Sequence, residues 1–96
     1  MTRGGAWNVE LLPTARRELL ALRDPTQARI RAAIRALADD PEPADSIPMR
    51  GKGTGLYRLR VGNYRIVYRL QRQRVCVLVI RIGHRADVYR GWEGMP

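Results

Sequence analysis

Arginine recurs at alternate positions in residues 57–69, a spacing that can place several cations on one face of a β-sheet. A guanidinium stays charged and presents planar N–H donors that fit the oxygens of a phosphate group. A sheet face dense in like charges repels itself and does not help folding, so an anionic ligand is the expected reason for it. A polyphosphate such as RNA or DNA fits this chemistry best. The alternating cations are Arg58, Arg60, Arg65 and Arg69.

The charge excess of the chain lies entirely in its second half. Residues 1–45 contain seven Arg and seven Asp or Glu, so their net charge is zero. Residues 46–96 contain eleven Lys or Arg against Asp87 and Glu93, which leaves a net charge of +9. A surface built only for solubility would intersperse both signs. The separation therefore favours ligand binding by the second half.

Gly62-Asn63 lies between two alternating runs and predicts a two-residue β-hairpin. The turn fixes the register, and directly opposed residues share a face of the sheet. One face is then apolar, and we expect the helices to pack on it. The other face carries the four arginines and Val67. The predicted pairs are Val61 with Tyr64, Arg60 with Arg65, Leu59 with Ile66, Arg58 with Val67, and Tyr57 with Tyr68.

The first half of the chain predicts one strand followed by a helical hairpin. Residues 7–11 alternate in polarity and indicate a strand. One helix is expected to open at Pro13-Thr14 with Thr14 as its cap, and a second at Asp24 with an Asp cap. Residues 39–55 read as a long loop, which in a small domain is often functional. The expected apolar stripes are Ala15, Leu19 and Leu22, then Ile30, Ala33, Ile34 and Leu37.

The last strand is expected over residues 75–82, apolar on both sides as in a central strand. A three-residue loop at 71–73 would put Arg81 on the arginine face, whereas a two-residue loop would bury its charge among the helices, and the first costs less. The sequence thus predicts one α+β domain over residues 1–96, with flexible ends at 1–6 and 91–96. Its fold is β-α-α-β-β-β, a helical hairpin on a mainly antiparallel four-stranded twisted sheet.

Several function classes are excluded by composition. No stretch approaches the roughly 20 apolar residues of a membrane span, and no apolar signal segment follows Met1–Ala6. Cys76 is alone within an apolar run, and one Cys and one His do not make a metal-ligand cluster. We therefore expect a cytoplasmic protein with no metal, no cofactor and no membrane partner.

Three motifs resemble the signature of RelE-type toxins in the RelE/ParE superfamily. They are Tyr57-Arg58-Leu59-Arg60, Tyr64-Arg65-Ile66-Val67-Tyr68, and Ile82-Gly83-His84-Arg85 with Val88-Tyr89. Met49-Arg50-Gly51 also resembles a short element that precedes these strands in the family. The resemblance implies an mRNA interferase that enters the ribosomal A site and cleaves mRNA there. It further implies a cognate acidic, RelB-like antitoxin, with operator DNA contacted only through the toxin–antitoxin complex.

The resemblance also implies the roles of individual residues. Arg58 and Arg60 match two basic positions of the family site, Arg65 the phosphate-clamping Arg, Arg85 the acid-side Arg, and Tyr89 a Tyr that packs on the nucleotide or helps activate its 2′-OH. The side chains expected to contact RNA around this site are Arg50, Lys52, Arg69, Arg81, His84 and Arg90.

The general base is left open by the sequence. Better-studied members of the family carry Lys where this chain has Arg58 and Arg60, and an Arg cannot give up its proton to act as a base. Tyr89 amid cations is one candidate and His84 another, although His84 also fits a turn or packing role. A third alternative is that no strong base exists and that positioning in the ribosome does most of the work.

Two other classes of function remain alternatives. One is a ParE-like toxin that inhibits a topoisomerase by binding and has no nuclease activity; the arginine and tyrosine set counts against it, because members of that branch generally lack it. The other is an inactive basic domain that only binds nucleic acid. The chain has six aromatic residues, all Trp or Tyr, and no Phe, so we do not expect it to bind single strands by stacking bases on aromatic side chains.

Overall fold

The β3–β4 hairpin forms the centre of the fold. The computed structural model describes residues 7–49 and 55–89. Strand β3 (Leu56–Val61) pairs with β4 (Tyr64–Gln71) in the predicted register, with Arg60 opposite Arg65. Gly62 opens the turn with φ +60°, a conformation that L side chains rarely adopt. The hairpin prediction is therefore confirmed, residue by residue.

The sheet has five strands and is mixed, where four mainly antiparallel strands were predicted. Its order is β1-β5-β4-β3-β2, with β1 (Asn8–Leu11) parallel to β5 (Cys76–His84) and the other pairs antiparallel. The additional strand, β2 (Ser46–Pro48), lies at the edge within the segment predicted as loop. It has three residues and contains a proline, so it carries almost no strand signal.

Two helices cover one face of the sheet and bury its apolar side chains. Helix α1 spans Pro13–Leu20 and α2 spans Thr26–Ala36. Their stripes pack on the strand residues that the register assigned to this face. The buried members of this core include Ala15, Leu19, Ile30, Ile34, Leu37, Leu59, Ile66, Tyr68, Val77, Val79 and Ile82.

Both predicted side-chain caps are wrong. Helix α1 begins at Pro13 after an extended Leu12, so Thr14 lies inside its first turn. Proline suits this first position because its ring presets the helical φ and no amide hydrogen is left without a partner. At α2 the N-cap is Pro25, with no side-chain cap, and Gln27 instead donates from Nε2 to the Leu22 carbonyl at 2.8 Å. The link between the helices is thus fixed by a glutamine amide and not by Asp24.

The β4–β5 connection also differs from the prediction. A single 3-10 turn at Arg72–Arg74 and a left-handed Val75 replace the expected loop at 71–73. Gln71 therefore pairs with Cys76, so the first residues of β5 face the opposite side of the sheet from the one predicted. A register shift lies between Val67 and Tyr68, because Tyr68 opposes Val79 whereas Val67 opposes Arg81. This shift restores the predicted facing of the remaining residues of β5. Burial raises the pKa of the Cys76 thiol in this central strand.

A second, smaller apolar cluster lies on the opposite face of the sheet. Leu56, Val67 and Val88 are buried there, and Met49, Ile80 and Tyr89 pack against them. Val67 lies on the arginine face, as predicted, and Val88 from the chain after β5 packs over it. The predicted flexible ends at 1–6 and 91–96, and the predicted RNA contacts Arg50, Lys52 and Arg90, lie outside the described residues.

Candidate active site

Three of the predicted site residues line one open cleft of about 250 Å³. Arg58 and Arg60 extend from β3, and Arg65 extends from β4 directly opposite Arg60. Their common direction follows from the hairpin register, since alternate residues of paired strands share a face. The remaining lining residues are Ala44, Asp45 and Ile47, which come from the loop after α2 and from β2.

Arg65 is held in place by the backbone of its own turn. Its Nη1 donates to the carbonyl oxygens of Gly62 and Tyr64 at 3.1 and 3.0 Å. The rest of its guanidinium makes no hydrogen bond or ion pair within residues 7–49 and 55–89. A charged fork that is fixed at one nitrogen and open at the others can receive a phosphate oxygen with little reorganisation.

Carboxylates from the first half of the chain neutralise some of the arginines of the second half. Arg72 pairs with Glu42 at 2.8 Å, Arg74 with Glu10 at 3.3 Å, and Arg81 with Glu18 at 3.0 Å. In the part of the chain that the structure describes, Arg58, Arg65, Arg69 and Arg85 have no carboxylate partner. Among the described arginines of the second half, those without a carboxylate partner thus lie on the sheet face that carries the cleft and in the turn after β5.

Arg60 has an intermediate position between these two groups. Its Nη2 lies 3.9 Å from Oδ1 of Asp45, and both side chains are 65% exposed. This is the longest of the ion pairs among the described residues, and exposed pairs of this kind contribute little to stability. Asp45 therefore partly screens Arg60 without removing it from the cleft.

Arg81 opposes Val67 and so stands on the predicted face of the sheet, but its guanidinium does not line the cleft. Its Nε donates to Glu18 on α1, and the other carboxylate oxygen of Glu18 accepts the backbone N–H of Ile82 at 2.8 Å. The carboxylate thereby satisfies the edge of β5 beyond the end of β1. The expectation that Arg81 points toward RNA is not supported by this geometry, and we leave Arg81 out of the proposed site.

His84 ends β5 opposite Tyr64, and Arg85 begins the turn that follows, beside the β3–β4 loop. The His84 ring stands edge-on to Tyr64 at a centroid distance of 5.6 Å, and its Nδ1 accepts the Ala86 N–H at 3.2 Å. The Arg85 amide donates to the Asn63 carbonyl at 2.7 Å, and the Arg85 side chain is exposed. These contacts agree with a turn and packing role for His84 and place Arg85 next to the turn that holds Arg65.

Tyr89 does not line the cleft with the three arginines. Its ring packs against Leu56, Val67 and Val88, and its hydroxyl oxygen is buried. Arg69 lies on the same face near this cluster, partly buried, and its Nε has no hydrogen-bond partner among the described residues. The structure thus separates the predicted catalytic set into an arginine cleft and an adjacent apolar cluster.

Asp45 is the one charged residue in the described lining of the cleft that the sequence did not single out. It lies in a segment predicted as loop, with no motif around it. Its position depends on tertiary contacts: the Arg60 amide donates to the Asp45 carbonyl at 3.2 Å, and Ser46 closes a turn through bonds to Pro43. The only hint of Asp45 in the sequence is that it is an acidic residue shortly before the basic strands.

Comparison with known proteins gives a consistent family. A family model described as the ParE toxin of the type II toxin–antitoxin system parDE matches residues 9–89. Toxin RelG of Mycobacterium tuberculosis is 33% identical over 88 residues, which cover 88% of this chain and 97% of RelG.

No helix in residues 7–49 and 55–89 is both long and apolar enough to cross a membrane.

Solved structures show the same fold. The toxin–antitoxin complex RelBE2 from M. tuberculosis contains a chain with a TM-score of 0.72 and 28% identity, covering 82% of this chain and 98% of that one. An archaeal RelE–RelB complex from Pyrococcus horikoshii contains a chain with a TM-score of 0.76 and 23% identity, covering 86% and 99%. Together, the arginine cleft, the fold and the two sequence matches show that this chain is a toxin of the RelE/ParE superfamily of type II toxin–antitoxin systems.

Proposed function

We propose that this toxin is a ribosome-dependent endoribonuclease that cleaves mRNA in the ribosomal A site and so inhibits translation. The observation that carries the proposal is the group of Arg58, Arg60 and Arg65 in one open cleft, with Arg60 and Arg65 directly opposed. Like charges in direct opposition destabilise a sheet, so an anionic ligand explains the arrangement better than folding does. The cleft is small and open, which suits a phosphodiester that another particle holds in place.

The chemistry follows from what cleavage by the neighbouring 2′-OH requires. As the 2′ oxygen attacks, the phosphorus gains a fifth oxygen and negative charge accumulates on the phosphorane. Cations aimed at that charge stabilise it, and one such donor is typically worth roughly 2.7–4 kcal/mol. We assign the phosphorane contact to Arg65, which its turn holds rigid, and the flanking phosphate contacts to Arg58 and Arg60. Arg85, at the adjacent turn, is assigned to the leaving-group side.

The partner of this toxin is proposed to be an acidic RelB-like antitoxin. The solved relatives include complexes whose second chain is a RelB antitoxin. The net charge of +9 in residues 46–96 would attract an acidic segment and fix its orientation. Such a segment laid over Arg58 and Arg65 would neutralise the cleft. Operator DNA would be contacted only through that complex.

A second candidate function comes from the family match itself, whose description names parDE. In that alternative the chain inhibits a topoisomerase by binding and leaves RNA intact. The cleft would then hold an acidic surface of that enzyme. An acidic protein surface could be bound by arginines spread over the whole face, so this alternative does not explain why Arg60 and Arg65 are directly opposed. For that reason we place it second.

Induced expression without antitoxin distinguishes the two candidates. Incorporation of labelled amino acids and labelled thymidine is followed from the moment of induction, with Arg65→Ala as the inactive control. For an mRNA-cleaving toxin, amino-acid incorporation stops first and the Arg65→Ala strain continues to grow. Early loss of thymidine incorporation with translation intact would overturn the proposed function in favour of topoisomerase inhibition.

A further inference from the structure

Among the described residues that line the arginine cleft, one carries a carboxylate. The described lining consists of three arginines, one alanine, one isoleucine and Asp45. Guanidinium groups stay protonated, and the aliphatic side chains carry no titratable atom. The carboxylate of Asp45 is therefore the only proton acceptor among the side chains that line this cavity.

The position of Asp45 is defined by its surroundings. The turn before β2 is closed by the amide and hydroxyl of Ser46, which donate to the Pro43 carbonyl at 2.9 and 2.8 Å. The Arg60 amide donates to the Asp45 carbonyl, which ties the turn to β3 beside the cleft. The carboxylate then lies 3.9 Å from the Arg60 guanidinium, too far for a tight ion pair.

The difference from the other carboxylates is instructive. Glu10, Glu18 and Glu42 hold their arginines at 2.8–3.3 Å, and each pair lies outside the cleft. Asp45 lies inside it, is 65% exposed, and leaves its oxygens accessible to a ligand. A carboxylate meant only to neutralise Arg60 would be expected at the shorter distance that the other three pairs achieve.

We propose that Asp45 is the general base that accepts the 2′-OH proton in the cleavage reaction. This inference rests on the proposed function. The 2′-O–H proton passes to the Asp45 carboxylate as the 2′ oxygen forms its bond to phosphorus. The bond from phosphorus to the 5′ oxygen then breaks, and that oxygen takes a proton from water. The products are a 2′,3′-cyclic phosphate and a 5′-hydroxyl, and Asp45 returns its proton to solvent.

The charges around Asp45 fit this role. Arg58 and Arg60 face it from β3 and Arg65 from β4. The acidic neighbours on its own loop are engaged elsewhere, because Asp40 accepts the Glu42 amide and Glu42 pairs with Arg72. The carboxylate that would accept the proton thus lies in the same cleft as the cations that would bind the phosphate. This arrangement answers the question left by the replacement of Lys by Arg in this family site.

The test compares Asp45→Asn with wild type in single turnovers on programmed ribosomes between pH 6.5 and 8.5. Asn keeps the shape of the side chain and cannot accept the proton. We expect the cleavage rate to fall roughly 10²-fold or more, as is typical when a general base is lost. The remaining rate should rise about tenfold per pH unit, because hydroxide replaces the base, whereas the wild-type rate should be nearly flat.

Binding is measured on the same ribosomes with mRNA that has a 2′-deoxynucleotide at the cleavage position. Removing a negative charge beside Arg60 should leave the affinity unchanged or increase it, so that the loss lies in the chemical step alone. Asp45→Glu should recover most of the rate. Asp40→Asn, a matched loss of charge on the same loop but outside the cleft, should leave the rate unchanged.

Two results would overturn the inference. A full cleavage rate in Asp45→Asn would do so, as would a reduced rate that stays as flat with pH as wild type, since that pattern indicates an electrostatic effect without proton transfer. Thermal melting confirms that the variants are folded. Absence of cleavage by wild type would overturn the proposed function as well, whereas cleavage untouched by Asp45→Asn overturns the role of Asp45 alone.

Discussion

The two faces of the β3–β4 hairpin use the same strands for opposite purposes. Leu59, Ile66 and Tyr68 point under the helices and are buried, whereas Arg58, Arg60 and Arg65 point the other way into an open cleft. The first face contributes to the stability of the fold through burial of apolar surface. The second brings like charges together and costs stability. Alternation along a strand thus separates the residues that hold the fold from those proposed to act on RNA.

Placement of the acidic residues extends this comparison. The carboxylates of the first half pair with Arg72, Arg74 and Arg81 around the rim of the sheet, and Asp45 only approaches Arg60. Three arginines of the second half that lie outside the cleft are thus neutralised, while Arg58 and Arg65 have no carboxylate partner in residues 7–49 and 55–89. Changes on the two faces should therefore have different consequences, one for stability and one for activity.

The largest effect is expected from Arg65→Ala on cleavage. Loss of one preorganised cation at the phosphorane should reduce the single-turnover rate about 10²–10³-fold. Melting temperature should change little, because among the described residues the side chain donates hydrogen bonds only to the carbonyls of its own turn. Arg74→Ala is the matched control, since Arg74 is an exposed arginine paired with Glu10 outside the cleft. Equal losses in both variants would mean that overall positive charge, and not the cleft, drives the reaction.

The neighbouring residue should show the reverse pattern. Ile66 follows Arg65 and is fully buried under the helices. Ile66→Ala should lower the free energy of unfolding by about 2–5 kcal/mol through lost burial and a cavity. Denaturant titration measures this loss, and the cleavage rate of the folded fraction should stay within a fewfold of wild type. A stability loss below that of Arg65→Ala would contradict the assignment of the two faces.

Alkaline pH should test the buried face separately. Burial raises the pKa of the Tyr68 phenol from 10.0 to about 12, and its hydroxyl donates to the Pro41 carbonyl at 2.7 Å. Because the folded state holds this proton more tightly, the stability it contributes is present below pH 10 and is lost as the pH rises toward 12. A shift of this size corresponds to about 3 kcal/mol. Tyr68→Phe should lack this part of the pH dependence in parallel unfolding titrations, and identical pH profiles would refute it.

A small effect is expected from Tyr89→Phe. The Tyr89 hydroxyl oxygen is buried, and the ring packs on the apolar cluster of the open face. If Asp45 is the base, removal of this hydroxyl should change the cleavage rate by less than about threefold, against roughly 10²-fold for a proton-transfer group. Tyr89→Ala, which also removes the ring, should be clearly worse. A 10²-fold loss in Tyr89→Phe would move the base from Asp45 to Tyr89.

The smallest effect concerns Arg60 and stability. Arg60 opposes Arg65 directly, and its contact with Asp45 is long and exposed. Arg60→Gln should therefore leave the unfolding free energy within about 0.5 kcal/mol of wild type, with any change in the stabilising direction. Urea denaturation at low salt is the appropriate measurement, because urea is uncharged and does not screen the repulsion between the arginines. A marked destabilisation would show that the arginine face does contribute to folding.

The hairpin and its faces could be predicted because strand parity and a Gly-Asn turn determine the register without further information. The cleft of Arg58, Arg60 and Arg65 followed from that register. The face of Arg81 was predicted correctly, but its ion pair with Glu18 could not be, because the partner lies on α1 and is brought there by tertiary packing. Propensity also failed at the helix starts, where a proline and a glutamine amide replaced the expected caps.

Asp45 and β2 were beyond the reach of sequence patterns for the same reason. Three residues that include a proline do not form a recognisable strand, and the segment becomes one only by pairing with β3. That pairing is what brings the Asp45 carboxylate to the mouth of the cleft. The acidic side of the candidate site is thus set by long-range packing, whereas its basic side is set by local alternation.

Analysis of the RNA ends produced on programmed ribosomes tests the central claim most directly. Wild type should yield a 2′,3′-cyclic phosphate and a 5′-hydroxyl within the A-site codon, and a variant that carries both Arg58→Ala and Arg65→Ala should yield neither at a measurable rate. The same double variant should unfold at the denaturant concentration of wild type, since both side chains lie on the open face. Full cleavage by this folded double variant would contradict the assignment of the arginine cleft as the active site.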